Sequence, residues 1–117
     1  PTHPTPVMEI HGTADVIVPF NNILKGIEYW RNYNNCNLIA DTTYIKDINL
    51  TDLSTVKHIV YNNGDSGVTT ELFKIINGGH TWPGNNRSKR LTNYDINASI
   101  EIWKFFSNPI ISKTNCN

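Results

Sequence analysis

A glycine-rich loop with a single histidine offers the clearest chemistry in the sequence. The loop spans residues 78–84 and reads GGHTWPG, so that His80 follows two glycines and precedes a Trp-Pro-Gly turn. Glycine permits a sharp turn and a close backbone approach, and Pro83 restricts the exit of the loop. An imidazole has an ordinary pKa of roughly 6.5, so it can take up and return a proton near neutral pH. The loop predicts either a general acid–base histidine or a turn histidine without chemistry.

A carboxylate with the same kind of placement is a candidate partner for His80. Asp15 ends the turn at residues 11–15 (HGTAD), which follows a short apolar run, and His80 follows the run at residues 68–76. Ligands and catalytic groups gather in the loops at the carboxyl ends of strands in α/β sheets. A turn Asp on its own commonly hydrogen-bonds its own backbone. With His80 placed in the same way, the two residues predict a catalytic pair in which the carboxylate orients the imidazole.

Two further aromatic residues are assigned different roles. Trp82 lies in the loop of His80, where it either walls a substrate pocket or covers the end of the strand. Trp103 falls on an apolar helical stripe and is expected in the core.

Neither a nucleophile nor a metal site is predicted in the chain. The turn at residues 64–67 (GDSG) looks like the nucleophile segment of trypsin-like proteases, but Val68 replaces the next glycine of that motif, and Ser66 is interpreted as a turn residue. A Gly-x-Ser-x-Gly motif is also absent. The other histidines show no metal-ligand spacing, and His11 is expected only to shape the turn of Asp15.

Apolar patterns predict the elements that must position these residues. Runs rich in β-formers predict strands, the last two being a hairpin or neighbours: residues 7–10, 56–61 and 68–76. Helical spacing predicts one helix that is capped at Asn21 or Asn22 and ends near residue 34, and another over residues 96–106 after a capping box at residues 92–95. Residues 37–55 predict an irregular or short-strand segment.

Length and charge limit the class of protein. A chain of 117 residues is at most one domain and can bury a core. Ten basic residues balance ten acidic ones, so neither nucleic acid nor a membrane is a predicted partner, and no apolar run is long enough to span a bilayer. We predict that residues 1–5 are a linker or truncation boundary, that residues 6–107 form one unit, and that residues 108–117 are a tail.

Three segments resemble a known family of enzymes. Residues 6–15 (PVMEIHGTAD), residues 78–84 and the helix over residues 95–106 are similar to the acid loop, the histidine loop and the closing helix of secreted α/β-hydrolase esterases. The specific group is the polyhydroxybutyrate depolymerase and feruloyl or acetylxylan esterase family. The resemblance covers about residues 6–107 and keeps the order of the family's motifs.

The resemblance implies a fold class, a mechanism and a location. The fold would be α/β, namely the C-terminal portion of an α/β-hydrolase fold with the last strands of a mainly parallel sheet and flanking helices. Asp15 would be the acid and His80 the base of a Ser–Asp–His triad that cleaves a polyester or plant cell-wall ester without metal or organic cofactor. The serine would lie in a missing N-terminal part of the same domain, so the chain alone would be inactive. The family is usually exported, which implies a secreted or periplasmic protein.

One departure and two alternatives accompany this resemblance. Many members pair a cysteine that matches Cys36 with one in the turn before the last strand, but residues 62–64 contain none, so Cys36 is either free or joined to Cys116. The alternatives are a general carboxylesterase or peptidase of the same fold, and an inactive relative that binds polymer or carbohydrate through Trp82.

Overall fold

A computed structural model describes residues 3–86 and 90–107, which form a four-stranded mixed sheet and two α-helices. In chain order the elements are β1 (Val7–Gly12), α1 (Phe20–Tyr33), β2 (Asp41–Ile45), β3 (Thr55–Tyr61), a 3₁₀ turn (Asp65–Gly67), β4 (Thr70–Ile76) and α2 (Ala98–Phe106). The strand order in the sheet is β1-β4-β3-β2. The β1–β4 pair is parallel, whereas β4–β3 and β3–β2 are antiparallel.

The predicted fold class, the C-terminal portion of an α/β-hydrolase with a mainly parallel sheet, is wrong. A single parallel pair is present in the described sheet, and the chain forms a small compact domain. The connections of β2 to β3 (residues 46–54) and of β3 to β4 (residues 62–69) contain no α-helix. Because a parallel pair needs a crossover of a dozen or more residues, usually through a helix, connections of this length favour antiparallel pairing.

The individual elements agree better with the sequence than the fold class does. The three predicted strands form, and β3 and β4 make the antiparallel hairpin that was one of the two alternatives.

The predicted caps are wrong for both helices. Pro19 occupies the N-cap of α1 and makes no side-chain cap bond, whereas the Asn97 side chain caps α2 by accepting from the Ile100 N–H. The capping box at residues 92–95 therefore starts no helix.

The two faces of the sheet are covered by different parts of the chain, because side chains alternate along each strand. One face carries the core cluster, which consists of Val56, Phe73, Ile75 and Ile96, with Met8, Ile10 and Ile45 packed against it. On the other face Leu72 is buried. The ring of Phe20, at the start of α1, lies 6.2 Å from the His11 ring and 5.4 Å from the Lys74 ammonium group. The side of α2 that bears Trp103 faces away from this core, and Trp103 is 72% exposed, so its predicted core position is wrong.

A partly buried side-chain hydrogen bond joins the two central strands. His58 on β3 and Glu71 on β4 are joined by a 2.7 Å contact between Nε2 and Oε1, and the His58 ring stacks on Phe73 at 4.0 Å between centroids. Burial raises the pKa of Glu71, but the hydrogen bonds from His58 and from the Thr69 hydroxyl lower this pKa by more, so it lies below its ordinary value. Glu71 is therefore a charged residue of the sheet that is satisfied internally rather than by solvent.

The parallel pair ends in a close contact between two loops. Gly12 pairs with Ile75 in the register, and beyond this point the Thr13 N–H donates to the Ile75 carbonyl at 2.9 Å and the Ala14 N–H to the Gly78 carbonyl at 2.8 Å. A Cβ at Gly12 would overlap the Gly78 carbonyl, so the backbones can only approach in this way when residue 12 is glycine. This contact fixes the loop of Asp15 against the loop of His80.

Substitution of Gly12 by Ala tests this contact. We expect Gly12→Ala to lower the free energy of unfolding by about 1–3 kcal/mol, because the added methyl group forces the two loops apart. Gly26→Ala is the matched control, since a Cβ at Gly26 in α1 meets no atom within 4 Å. The control should stabilise the protein by about 0.5–1 kcal/mol through helix propensity. Urea unfolding measures both, and equal stabilities of the two variants would contradict the prediction.

Candidate acid–base site

The structure brings the two predicted site residues into contact. Asp15 lies three residues beyond β1 and His80 four residues beyond β4, and these strands are parallel neighbours whose carboxyl ends share one edge of the sheet. The Asp15 Oδ2 atom lies 2.9 Å from the His80 Nδ1 atom. The arrangement is that of a carboxylate orienting an imidazole, and the catalytic role of the pair stays a prediction.

The Asp15 carboxylate is buried and accepts hydrogen bonds on both oxygens. Its side chain is only 3% exposed. Oδ1 accepts from the backbone N–H groups of Ile17 and Val18, each at 2.8 Å. Oδ2 contacts His80 and also lies 3.2 Å from the Nε2 atom of His11. The turn-forming role of an Asp and the orienting role, which were alternatives in the sequence, are thus carried out by the two oxygens of one carboxylate.

These contacts keep Asp15 ionised. Burial raises the pKa of Asp15, but the hydrogen bonds from the Val18 backbone, from His80 and from the Ile17 backbone together lower it further, to below its ordinary value. An ionised carboxylate is purely an acceptor, so the His80 Nδ1 atom must donate. In the neutral imidazole this leaves the lone pair on Nε2, and the His80 side chain is 57% exposed. The geometry therefore presents Nε2 as a base.

His80 and Trp82 border an open cavity of about 350 Å³ whose lining also includes His11, Gly12 and Asp15. Trp82 is half exposed, and its indole N–H donates to the Ser99 hydroxyl at 3.1 Å, which holds the ring at this position. Of the two roles open to Trp82, the wall of a pocket agrees with this position. The hydroxyl of Thr92, another residue on the cavity wall, is buried and has no hydrogen-bond partner in the described part of the chain.

A nucleophile next to His80 is not found in the described residues. Within residues 3–86 and 90–107 the His80 ring hydrogen-bonds to Asp15 alone. Ser66 lies in the turn before β4, at the opposite end of that strand from His80, with a φ angle of 57° in the left-handed region. The Ser99 hydroxyl is engaged with Trp82. The described residues therefore place no serine hydroxyl in hydrogen-bond contact with His80.

A group of three carboxylates lies away from this site and was not anticipated from the sequence. Asp47, Asp52 and Asp95 place one oxygen each within 4.8 Å of the other two. Partial desolvation, and then the negative charges of Asp95 and Asp52, raise the pKa of Asp47. Oxygen ligands of this kind suit Mg²⁺ or Ca²⁺. However, Asp95 already accepts from the N–H groups of Ile48 and Asn49, and Asp52 holds residues of its own loop, so loop fixation accounts for the group.

The cysteine prediction is resolved in part. Cys36 has a buried free thiol that lies 3.6 Å from the Thr70 hydroxyl. Cys116 lies outside the described residues, as do Arg87 and Lys89 of the loop after Trp82. None of the helices in the described ranges has the length and hydropathy of a membrane span.

The contact between His11 and the Asp15 carboxylate was not predicted from the sequence. His11 was expected to shape the turn, but its ring also touches the Asp15 carboxylate. The two residues are four positions apart in HGTAD, a spacing that predicts a side-chain contact within a helix. It does not predict a contact here, because His11 lies in the strand β1.

The lowered pKa of Asp15 predicts a pH-dependent contribution to stability. Because the folded-state pKa lies below the unfolded value of about 3.9, the contribution is present above that pH and is lost as pH falls through the folded pKa. Asp15→Asn should lower the free energy of unfolding by about 1–3 kcal/mol near neutral pH. The difference from wild type should shrink below about pH 4.

Urea unfolding as a function of pH measures this difference. Asp65→Asn is the control, since Asp65 is an exposed turn residue outside the site. A difference for Asp15→Asn that stays constant from neutral to acid pH would argue against the prediction.

No protein-family model matches the chain, and comparison with curated proteins finds no match. The function must therefore be inferred from the site itself.

Proposed function

We propose that Asp15 and His80 are the acid and the base of a serine-type carboxylic-ester hydrolase. The observation that carries the proposal is the 2.9 Å contact between a buried, ionised carboxylate and the Nδ1 atom of an imidazole that borders a cavity. An isolated turn histidine needs no such partner. The motif resemblance to polyhydroxybutyrate depolymerases and feruloyl or acetylxylan esterases supports the same chemistry.

The geometry defines what each residue would do. A serine hydroxyl would give its proton to the His80 Nε2 atom as its oxygen attacks the ester carbonyl carbon. Collapse of the tetrahedral intermediate would break the bond to the alcohol oxygen, which takes the proton from Nε2 and leaves an acyl-serine. Water then repeats the two steps and releases the acid. Asp15 would hold Nδ1–H and stabilise the imidazolium without taking its proton.

The nucleophile and the oxyanion donors belong to the proposal and come from outside the described residues. We propose that a segment preceding Pro1 in the same polypeptide supplies them. The substrate would be a polyester or a plant cell-wall ester whose acyl or alcohol group lies against Trp82, and the protein would be secreted or periplasmic. Neither a metal nor an organic cofactor enters these steps.

The full-length protein provides the test. We expect a serine within a Gly-x-Ser-x-Gly motif before Pro1, and hydrolysis of p-nitrophenyl acetate by the full-length protein. His80→Gln should lower kcat by about 10²- to 10⁴-fold, because it removes the general base. His3→Gln, which changes an exposed histidine outside the cavity, should leave kcat unchanged.

Two results would overturn the esterase proposal. One is the absence of such a serine from the polypeptide, and the other is an undiminished rate in His80→Gln. A panel of p-nitrophenyl esters and p-nitroanilides separates the narrower alternatives, since a peptidase that uses the same pair of residues would cleave the anilides.

The exposure of Trp82 favours a second candidate, a protein that binds ester polymer or carbohydrate without cleaving it. Exposed aromatic rings at the edge of a cavity provide flat apolar contact area for such ligands. Trp82→Ala should then raise the apparent Kd for insoluble polyhydroxybutyrate or xylan, measured by co-sedimentation, by at least about tenfold, which is about 1.4 kcal/mol. Trp103→Ala is the control, because Trp103 is also exposed but lies on α2 outside the cavity. Equal sedimentation of both variants and wild type would eliminate the binding function.

A further inference from the structure

We propose that His11 is a positioning residue that holds the Asp15 carboxylate in the orientation His80 requires. The inference deepens the proposed function and rests on it. His11 lines the same cavity as His80, and we infer that it acts through Asp15.

The contacts of His11 define its protonation. Its Nε2 atom lies 2.8 Å from the Val18 carbonyl oxygen and 3.2 Å from the Asp15 Oδ2 atom. Both partners are acceptors, because a carbonyl and an ionised carboxylate have no proton to donate. Nε2 must therefore carry a proton in the neutral and in the charged form of the ring. This N–H donates to the Val18 carbonyl, and the Asp15 Oδ2 atom makes a close polar contact with the same nitrogen.

The position of the His11 ring is fixed by the fold. His11 is the penultimate residue of β1 and pairs with Lys74 in the parallel register. Its side chain is only 12% exposed, and its ring lies 6.2 Å from the Phe20 ring at the start of α1. The His11 backbone is therefore fixed by β1, and its ring lies beside the first residue of α1. These two elements set the position of the His11 N–H.

The N–H of His11 adds a hydrogen bond that holds the loop of Asp15 from a residue of β1. Two backbone N–H groups donate to Oδ1 of Asp15. Both belong to the connecting loop itself, so they hold the carboxylate only as firmly as that loop is held. Among the described residues, the hydrogen bond to Oδ2 comes from His80, a half-exposed side chain. The His11 N–H holds the Val18 carbonyl, which keeps the Val18 N–H directed at Oδ1, and the His11 Nε2 atom lies 3.2 Å from Oδ2. Preorganisation of this kind matters because small misplacements of catalytic groups are costly.

Substitutions that separate reach from size test this role. His11→Gln places an amide N–H at about the distance of Nε2, whereas His11→Asn carries the same amide one methylene shorter. His11→Phe keeps the ring and removes the N–H. We expect the Asp15–His80 hydrogen bond to persist in His11→Gln and to weaken in the other two.

The readout is ¹⁵N-resolved NMR of the histidine rings in the 117-residue chain. In wild type the His80 Nδ1–H proton should be observed, far downfield and slow to exchange. It should be lost or exchange at least about tenfold faster in His11→Asn and His11→Phe, and return in His11→Gln. In the full-length enzyme the same two variants should lower kcat by about 10- to 100-fold with KM unchanged, since the loss occurs after substrate binding.

The possible outcomes separate this inference from the proposed function. A wild-type-like Nδ1–H signal in both His11→Asn and His11→Phe would overturn the positioning role and leave the esterase proposal intact. An undiminished rate in His80→Gln would overturn the esterase proposal, whatever the His11 variants show. Should one variant unfold, as judged from its amide spectrum, the other still decides, and unfolding of both with no rescue by His11→Gln would count against a role specific to Asp15.

Discussion

The backbone contact between Gly12 and Gly78 is the constraint on which the site depends. It exists because β1 and β4 pair in parallel and because neither loop has a Cβ at the point of approach. The N–H group of Ala14 then reaches the Gly78 carbonyl, which fixes the chain on both sides. From that point each loop has only a few residues left before Asp15 and His80, so the separation of their side chains follows from the strand pairing rather than from any attraction between the two side chains.

Much of this arrangement is visible in the sequence because it is local. Each site residue follows an apolar run after a short glycine-containing turn, and runs of that kind form strands in the structure. The proximity of Asp15 and His80 needed one further assumption, that both runs end at the same edge of one sheet. This holds because the chain crosses from β1 through α1 and the β2–β3 pair before returning as β4 beside β1.

The sheet as a whole could not be read in this way. Periodicity describes one segment at a time, whereas the direction of a strand depends on the partner that it finds and on the length of the connection. The predicted turn at residues 62–67 was compatible with a hairpin or with neighbouring strands, and the mainly parallel sheet came from the family resemblance alone. Local pattern also misplaced Trp103, because an apolar stripe on α2 does not state how much of it the domain can cover.

The distribution of hydrogen bonds at the site shows which part of it is complete. Asp15 accepts hydrogen bonds on both oxygens, from the loop backbone and from His80, and the His11 ring lies 3.2 Å from Oδ2, so that the carboxylate is kept ionised and oriented. Within the part of the chain that the structure describes, His80 is hydrogen-bonded through Nδ1 only, and its side chain is more than half exposed and borders the cavity. A group that received or delivered a proton would therefore have to approach His80 from the cavity and Trp82. The buried half of the site restrains its geometry, and the exposed half leaves the choice of reaction partner to whatever occupies that space.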